Sequence, residues 1–98
     1  MSPYVIAGLD PNTTELTSIL QRSTITLKEI ESKRRNIDML EFKAIVYNLK
    51  NKGIHEAKIA TLTHRHRTDV LHHFKAFKNL LEIGDKKAIA INNRLNLD

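Results

Sequence analysis

The chain has 98 residues and a mass of 11.3 kDa, room for one small domain with a thin core. With 41% apolar and 28% charged residues it is too balanced for wholesale disorder, and the absence of cysteine excludes a disulfide scaffold, an Fe–S cluster and a thiolate zinc site. The net charge of +5 is unevenly placed, because residues 1–31 hold two bases against four acids while residues 32–98 hold fourteen against seven. A compact basic region on a small chain points to a polyanionic partner, most often nucleic acid.

No apolar run is long enough to span a membrane, and residues 1–10 lack the basic start and long apolar core of a signal peptide. The expectation is a soluble, cytoplasmic, nucleoid-associated protein of a bacterial, archaeal or virus-infected cell, of a size common among phage and plasmid genes. The first eleven residues, with Pro3, Gly8 and Pro11, read as an arm or a tied-down extended segment. Asn12-Thr13-Thr14-Glu15 then looks like a helix start, with Asn12 or Thr13 as cap and Leu16, Ile19 and Leu20 at helical spacing. Thr26-Leu27-Lys28-Glu29 repeats the polar-cap-then-acid signature, and this second short helix is expected to end in the basic run 33–35. Ile19, Leu20, Leu27 and Ile30 are too many apolar groups for a solvated segment, so they must pack on the domain or on a partner. Residues 1–35 are therefore read as an arm and helical extension suited to dimerisation, and residues 36–98 as the main domain.

The strongest helix begins at Asn36 or Asp38. Met39, Phe42, Ile45, Val46 and Leu49 fall on one face, and Gly53 stands where a helix-terminating glycine is expected. A short segment from 54 to 62 follows, with Ala57, Ile59, Ala60 and Leu62 as its apolar side. After a polar turn of Thr63, His64 and Arg65 a third helix starts, carrying Val70, Leu71, Phe74 and Phe77. Beyond it, Leu81-Glu82-Ile83, Gly84-Asp85-Lys86-Lys87 and Ala88-Ile89-Ala90-Ile91 read as two short strands around a polar turn. A competing reading runs the third helix through Ile83 and starts another at Lys86. Asn79, which tolerates a left-handed backbone at a helix end, favours the hairpin.

A short middle helix joined by a tight turn to a longer basic one is the helix-turn-helix pattern. Ile59-Ala60 supplies a buried aliphatic and a small residue where two helices cross closely, and Val70 follows Ile59 by eleven residues. The intervening residues 63–68 occupy the turn and the first exposed turn of a recognition helix spanning about 66–78, where side chains reach base edges in the major groove. Arg65, His66, Arg67, Thr68, His72 and Lys75 are the candidate contacts, with Leu71 placed to meet a thymine methyl. Arg67 is expected in the first helical turn, opposite the stripe of Val70, Phe74 and Phe77, where its guanidinium can donate twice to a guanine. Asp69 would repel phosphates but could cap the helix or orient Arg65. Lys86 and Lys87, at the tip of the hairpin, are candidate contacts to phosphate or the minor groove.

Residues 59–62 and 68–77, with 40–49 as a first helix and 81–91 as a wing, resemble the winged helix-turn-helix domains of bacterial regulators, nearest the cyclic-AMP receptor protein and MarR classes. The resemblance covers about residues 37–92. The chain departs from that pattern in having His64 where the turn commonly has glycine, and a link from Phe77 to the wing about two residues short. A weaker resemblance is to the DNA-binding domain of the replication initiator DnaA. It is carried by Ser32-Lys33-Arg34-Arg35, Lys43, Ile45 and Arg65-His66-Arg67-Thr68-Asp69-Val70-Leu71-His72. That family has Arg-Asp-His-Thr-Thr-Val-Leu-His there, so His66, Arg67 and Asp69 differ at base-reading positions and a different target follows. Both resemblances imply a helix placed in the major groove of duplex DNA.

The spacing of the five histidines places no three imidazoles together, so no metal or other cofactor is expected. No phosphate-cradling glycine loop, nucleophile elbow or telling carboxylate pair marks an enzyme. The sequence thus predicts a mainly α protein. It has a three-helix helix-turn-helix core, a C-terminal β-hairpin wing and an N-terminal helical extension. Its expected function is sequence-specific duplex binding as a small transcriptional regulator, a repressor acting as a homodimer. Two alternatives stay open: a module docking an acidic partner such as a transcription-machinery protein, and a replication-origin binder.

Overall fold

The computed structural model describes residues 11–31 and 38–96. Residues 1–10 of the expected arm, and the basic run 33–35 expected to end the second helix, lie outside the described residues. The described residues form six helices and no strand: α1 (Pro11–Leu20), α2 (Leu27–Glu31), α3 (Met39–Asn51), α4 (Glu56–Thr63), α5 (Arg67–Glu82) and α6 (Lys86–Leu95). The fold is mainly α. No helix among these residues is long and apolar enough to cross a membrane.

Local chemistry sets most boundaries. α1 starts at Pro11, just before the expected cap, because the first helical position loses nothing when it lacks an N–H. α2 opens with a capping box: the Thr26 N–H donates to Glu29 Oε1 at 3.0 Å and the Glu29 N–H to Thr26 Oγ1 at 3.2 Å. The Asp38 carboxylate caps α3 by accepting from the N–H groups of Leu40 and Glu41. Gly53, with φ +91°, turns the chain out of α3 in a conformation that L-residues resist.

α3 is the central strut. Phe42, Ala44, Ile45, Val46 and Leu49 are fully buried, and Tyr47 packs its ring against Phe74 and Phe77 of α5, with centroids 5.3 and 5.2 Å away. Leu16, Ile19, Ile25 and Ile30 join Phe42, Ile59, Val70, Phe77, Ala88 and Leu95 in one apolar cluster. The N-terminal helices therefore bury most of their described apolar groups in this chain's own core, while Leu27 stays exposed.

The expected β-hairpin over 81–91 is not formed, and the competing helical reading describes this region. Leu80 and Leu81 continue the inner stripe of α5, so the helix runs on through Asn79 to Glu82. Gly84, with φ +78°, ends it, and the Gly84 and Asp85 N–H groups donate to the Leu81 and Leu80 carbonyls. Asp85 then caps α6 by accepting from the Ala88 N–H at 2.9 Å. Ala88 and Leu95 are buried with Ile91 partly so, at intervals of three and four, which is a helical period hidden inside an apparently alternating run.

α6 is fastened to α3 by polar groups as well. The buried Glu41 carboxylate accepts from the Arg94 guanidinium and from the Thr24 N–H. Arg94 also donates to the Arg22 carbonyl, and Arg22 returns a bond to the Leu95 carbonyl. Beside them, the Asn48 amide donates to Asn92 Oδ1 and its own Oδ1 accepts from the Asn96 amide.

Candidate nucleic-acid interface

The link between α4 and α5 is three residues long, His64 to His66. His64 closes α4 in the left-handed conformation, with φ 57° and ψ 42°, and the Arg65 N–H donates back to the Ala60 carbonyl at 3.0 Å. This is the six-to-one bond of a Schellman ending, which usually calls for glycine. Histidine belongs to the small group of non-glycine residues enriched there. Ile59 and Ala60 on α4 are buried, as is Val70 on α5, so the two helices are braced on the same core.

This arrangement presents the N-terminal half of α5 to solvent. His66, Arg67, Thr68, His72 and Lys75 are all exposed. At about 100° per residue, Thr68, His72 and Lys75 lie within about 40° of the direction opposite Val70, and so does the exposed Asn79. Arg67 is placed differently from expectation. Seven residues before Phe74, it stands only about 20° from that ring on the helical wheel, and it is exposed because α5 begins there. Its side chain leaves the helix end on the flank of the inner stripe, not from the opposite face.

Four expected contacts are separated from this surface. The Arg65 guanidinium turns inward, with its carbon 5.1 Å from the Phe42 ring centroid, and donates to the Thr63 and His64 carbonyls. Half-buried in this way, Arg65 braces the turn. Leu71 is partly buried. Lys86 and Lys87 are exposed, but they sit at the start of α6. That lies beyond the far end of a 16-residue helix about 24 Å long, not on a hairpin beside the α4–α5 turn. Asp69 lies in the first turn of α5, where an acid suits the helix dipole, while the N-cap residue is His66, whose side chain makes no capping bond.

Sequence reasoning did not name Lys78 and Asn79, both exposed, among the contacts, and it read Asn79 as the end of the helix. The apolar pair Leu80-Leu81, continuing the period of Phe74 and Phe77, was the signal for a longer helix. His73 sits on the flank between α3 and α5. Its ring meets Phe42 edge to face at 5.5 Å, and its buried Nδ1 has no hydrogen-bond partner among the described residues. Burial lowers its pKa below the ordinary 6.5, with Lys43, His72 and Arg65 acting in the same direction and Asp69 against them.

Among the described residues, no three His, Asp or Glu side chains converge as metal ligands. Comparison of the chain with protein-family models, curated proteins and solved structures finds no match.

Proposed function

We propose that the chain binds double-stranded DNA sequence-specifically, with α4 and α5 acting as a helix-turn-helix and the N-terminal half of α5 lying in the major groove. One observation carries the reading. The left-handed turn at His64 braces α5 on the core while leaving His66, Arg67, Thr68, His72 and Lys75 exposed along its N-terminal half. Thr68, His72, Lys75 and Asn79 form the outward line that faces base edges, and Arg67 reaches from the helix end to a guanine or a flanking phosphate. The first N–H groups of α5, with no side chain capping them, suit a phosphate oxygen. The net charge of +5 supplies the attraction. The biological role is that of a small transcriptional regulator.

A second role, replication-origin binding, is favoured by one observation. Helix α6 stands where the winged regulators would need a hairpin, whereas the resemblance to the DnaA DNA-binding domain needs no hairpin: its described part rests on Lys43 and Ile45 in α3 and on residues 65–72 in the turn and first part of α5. The chemistry of DNA contact is the same in both roles.

A salt titration on random duplex tests the shared chemistry. Affinity should fall steeply, with a logarithmic slope of about −0.9 for each phosphate neutralised. No binding at about 50 mM salt would refute the proposal and leave the acidic protein partner as the reading to pursue.

A further inference from the structure

We infer that the corner where α5 gives way to α6 is the two-fold interface of a homodimer, its occupant being a second copy of this chain. Leu16, Ile19 and Ile30 are each 1% exposed or less, so most of the described apolar groups of the N-terminal helices pack in this chain's own core, while Leu27 stays 40% exposed. Those buried groups are not free to form a dimer interface. Four large apolar side chains are exposed among the described residues, and two of them, Leu27 and Met39, flank residues 32–37. The other two lie six residues apart on either side of the α5–α6 turn: Ile83, 76% exposed at the end of α5, and Ile89, the fourth residue of α6. Ile89 belongs to an exposed line of Lys86, Ile89, Ala90 and Asn93, opposite the buried Ala88 and Leu95. Small and apolar residues on a solvent face of a short helix leave room for close approach.

Charge selects the occupant. Glu82 precedes Ile83, Lys86 and Lys87 follow the turn, and all three are exposed with no ion pair among the described residues. A patch carrying apolar anchors between one acid and two bases is complementary to itself across a two-fold axis. Glu82 of one protomer then meets Lys86 of the partner subunit, and the pairing occurs twice.

The position agrees with the proposed DNA reading, on which this part of the inference rests. With the axis at this corner, each α5 points its reading end outward. Two helices of about 24 Å would put those ends about 48 Å apart if collinear and about 34 Å apart if each is inclined by about 45°. One turn of duplex separates half-sites by about 34–36 Å. A patch of this extent makes a small interface, so the free dimer is weak and paired half-sites complete it.

Sedimentation equilibrium of the full chain up to about 1 mM tests the interface without DNA. The mass should rise from monomer toward dimer with concentration. Ile83→Glu should hold it at monomer while retaining native helical circular dichroism, because Ile83 is exposed. Glu82→Lys and Lys86→Glu should each weaken association, and the two together should restore it. A monomer throughout, or a dimer indifferent to all these changes, would overturn the inference. A dimer that binds no duplex would refute the DNA reading alone, and a duplex-binding monomer would refute the interface alone.

Discussion

His73 is the residue whose surroundings most constrain its chemistry. Its Nδ1 is buried against Phe42 without a hydrogen-bond partner among the described residues, with Lys43, Arg65 and His72 close enough to oppose a positive charge and Asp69 the single acid favouring it. The folded state therefore holds the ring neutral more firmly than the unfolded chain, whose value lies near 6.5. The unfolded chain binds the extra proton first. Stability is thus full above that pH and is lost as pH falls through the lower folded-state value. The urea midpoint should drop between about pH 7.5 and pH 5, and His73→Phe should show a smaller drop. Equal drops would mean that the loss lies elsewhere. Arg65 teaches a related lesson. Its place beside the turn was readable from the sequence, but its direction was not, because nothing local announces that Phe42, twenty-three residues earlier, offers a ring to stack on.

At the scale of the element, α5 trades stability for a free end. Asp38 and Asp85 cap α3 and α6 with carboxylates, whereas His66 makes no capping bond to α5. His66→Asp should stabilise the fold by about 0.5–1 kcal/mol, by capping a first turn that now lacks a side-chain acceptor. The same change puts a negative charge on the proposed phosphate side and should weaken binding to every duplex. Chemical denaturation and duplex binding check the two halves separately, and a stabilised variant with unchanged affinity would move DNA away from this helix end. Helices α3, α4 and the start of α5 were legible because cap, stripe and terminator agree: Asp38 with Gly53 for α3, and Ile59-Ala60 followed by Val70 for the pair. The C-terminal region was not. Ala88-Ile89-Ala90-Ile91 alternates in size but not in burial, and only the distant Leu95 reveals the helical period. Asn79 suggested a helix end, yet a single residue tolerant of the left-handed region is weaker evidence than two further leucines on the stripe.

In the whole molecule, the polar clamp around Glu41 joins three parts of the chain that the core alone would hold loosely. The Glu41 side chain is only 2% exposed, so removal of its cationic partner strands a buried carboxylate. Loss of one member of a buried pair costs about 3–5 kcal/mol, and the partly exposed Arg94 and the remaining Thr24 N–H bond bring the expectation for Arg94→Met to about 2–3 kcal/mol. Lys52→Ala breaks the solvent-exposed pair with Glu15 and should cost less than about 0.5 kcal/mol. Urea unfolding of the two variants side by side tests the contrast, and equal losses would show that the clamp is no stronger than a surface pair. No sequence pattern announces this clamp, because its members are separated by 17 to 73 residues.

The central claim is that the outward line of α5 reads base sequence. Selection of bound duplexes from a random pool, run in parallel with the native chain and with His72→Ala, tests it most directly. The native chain should enrich a defined motif, and the variant should retain most of that motif while losing preference at one or two adjacent positions, a change worth about 1–3 kcal/mol per base pair. Enrichment of no motif by the native chain, or an identical motif from the variant, would contradict the account.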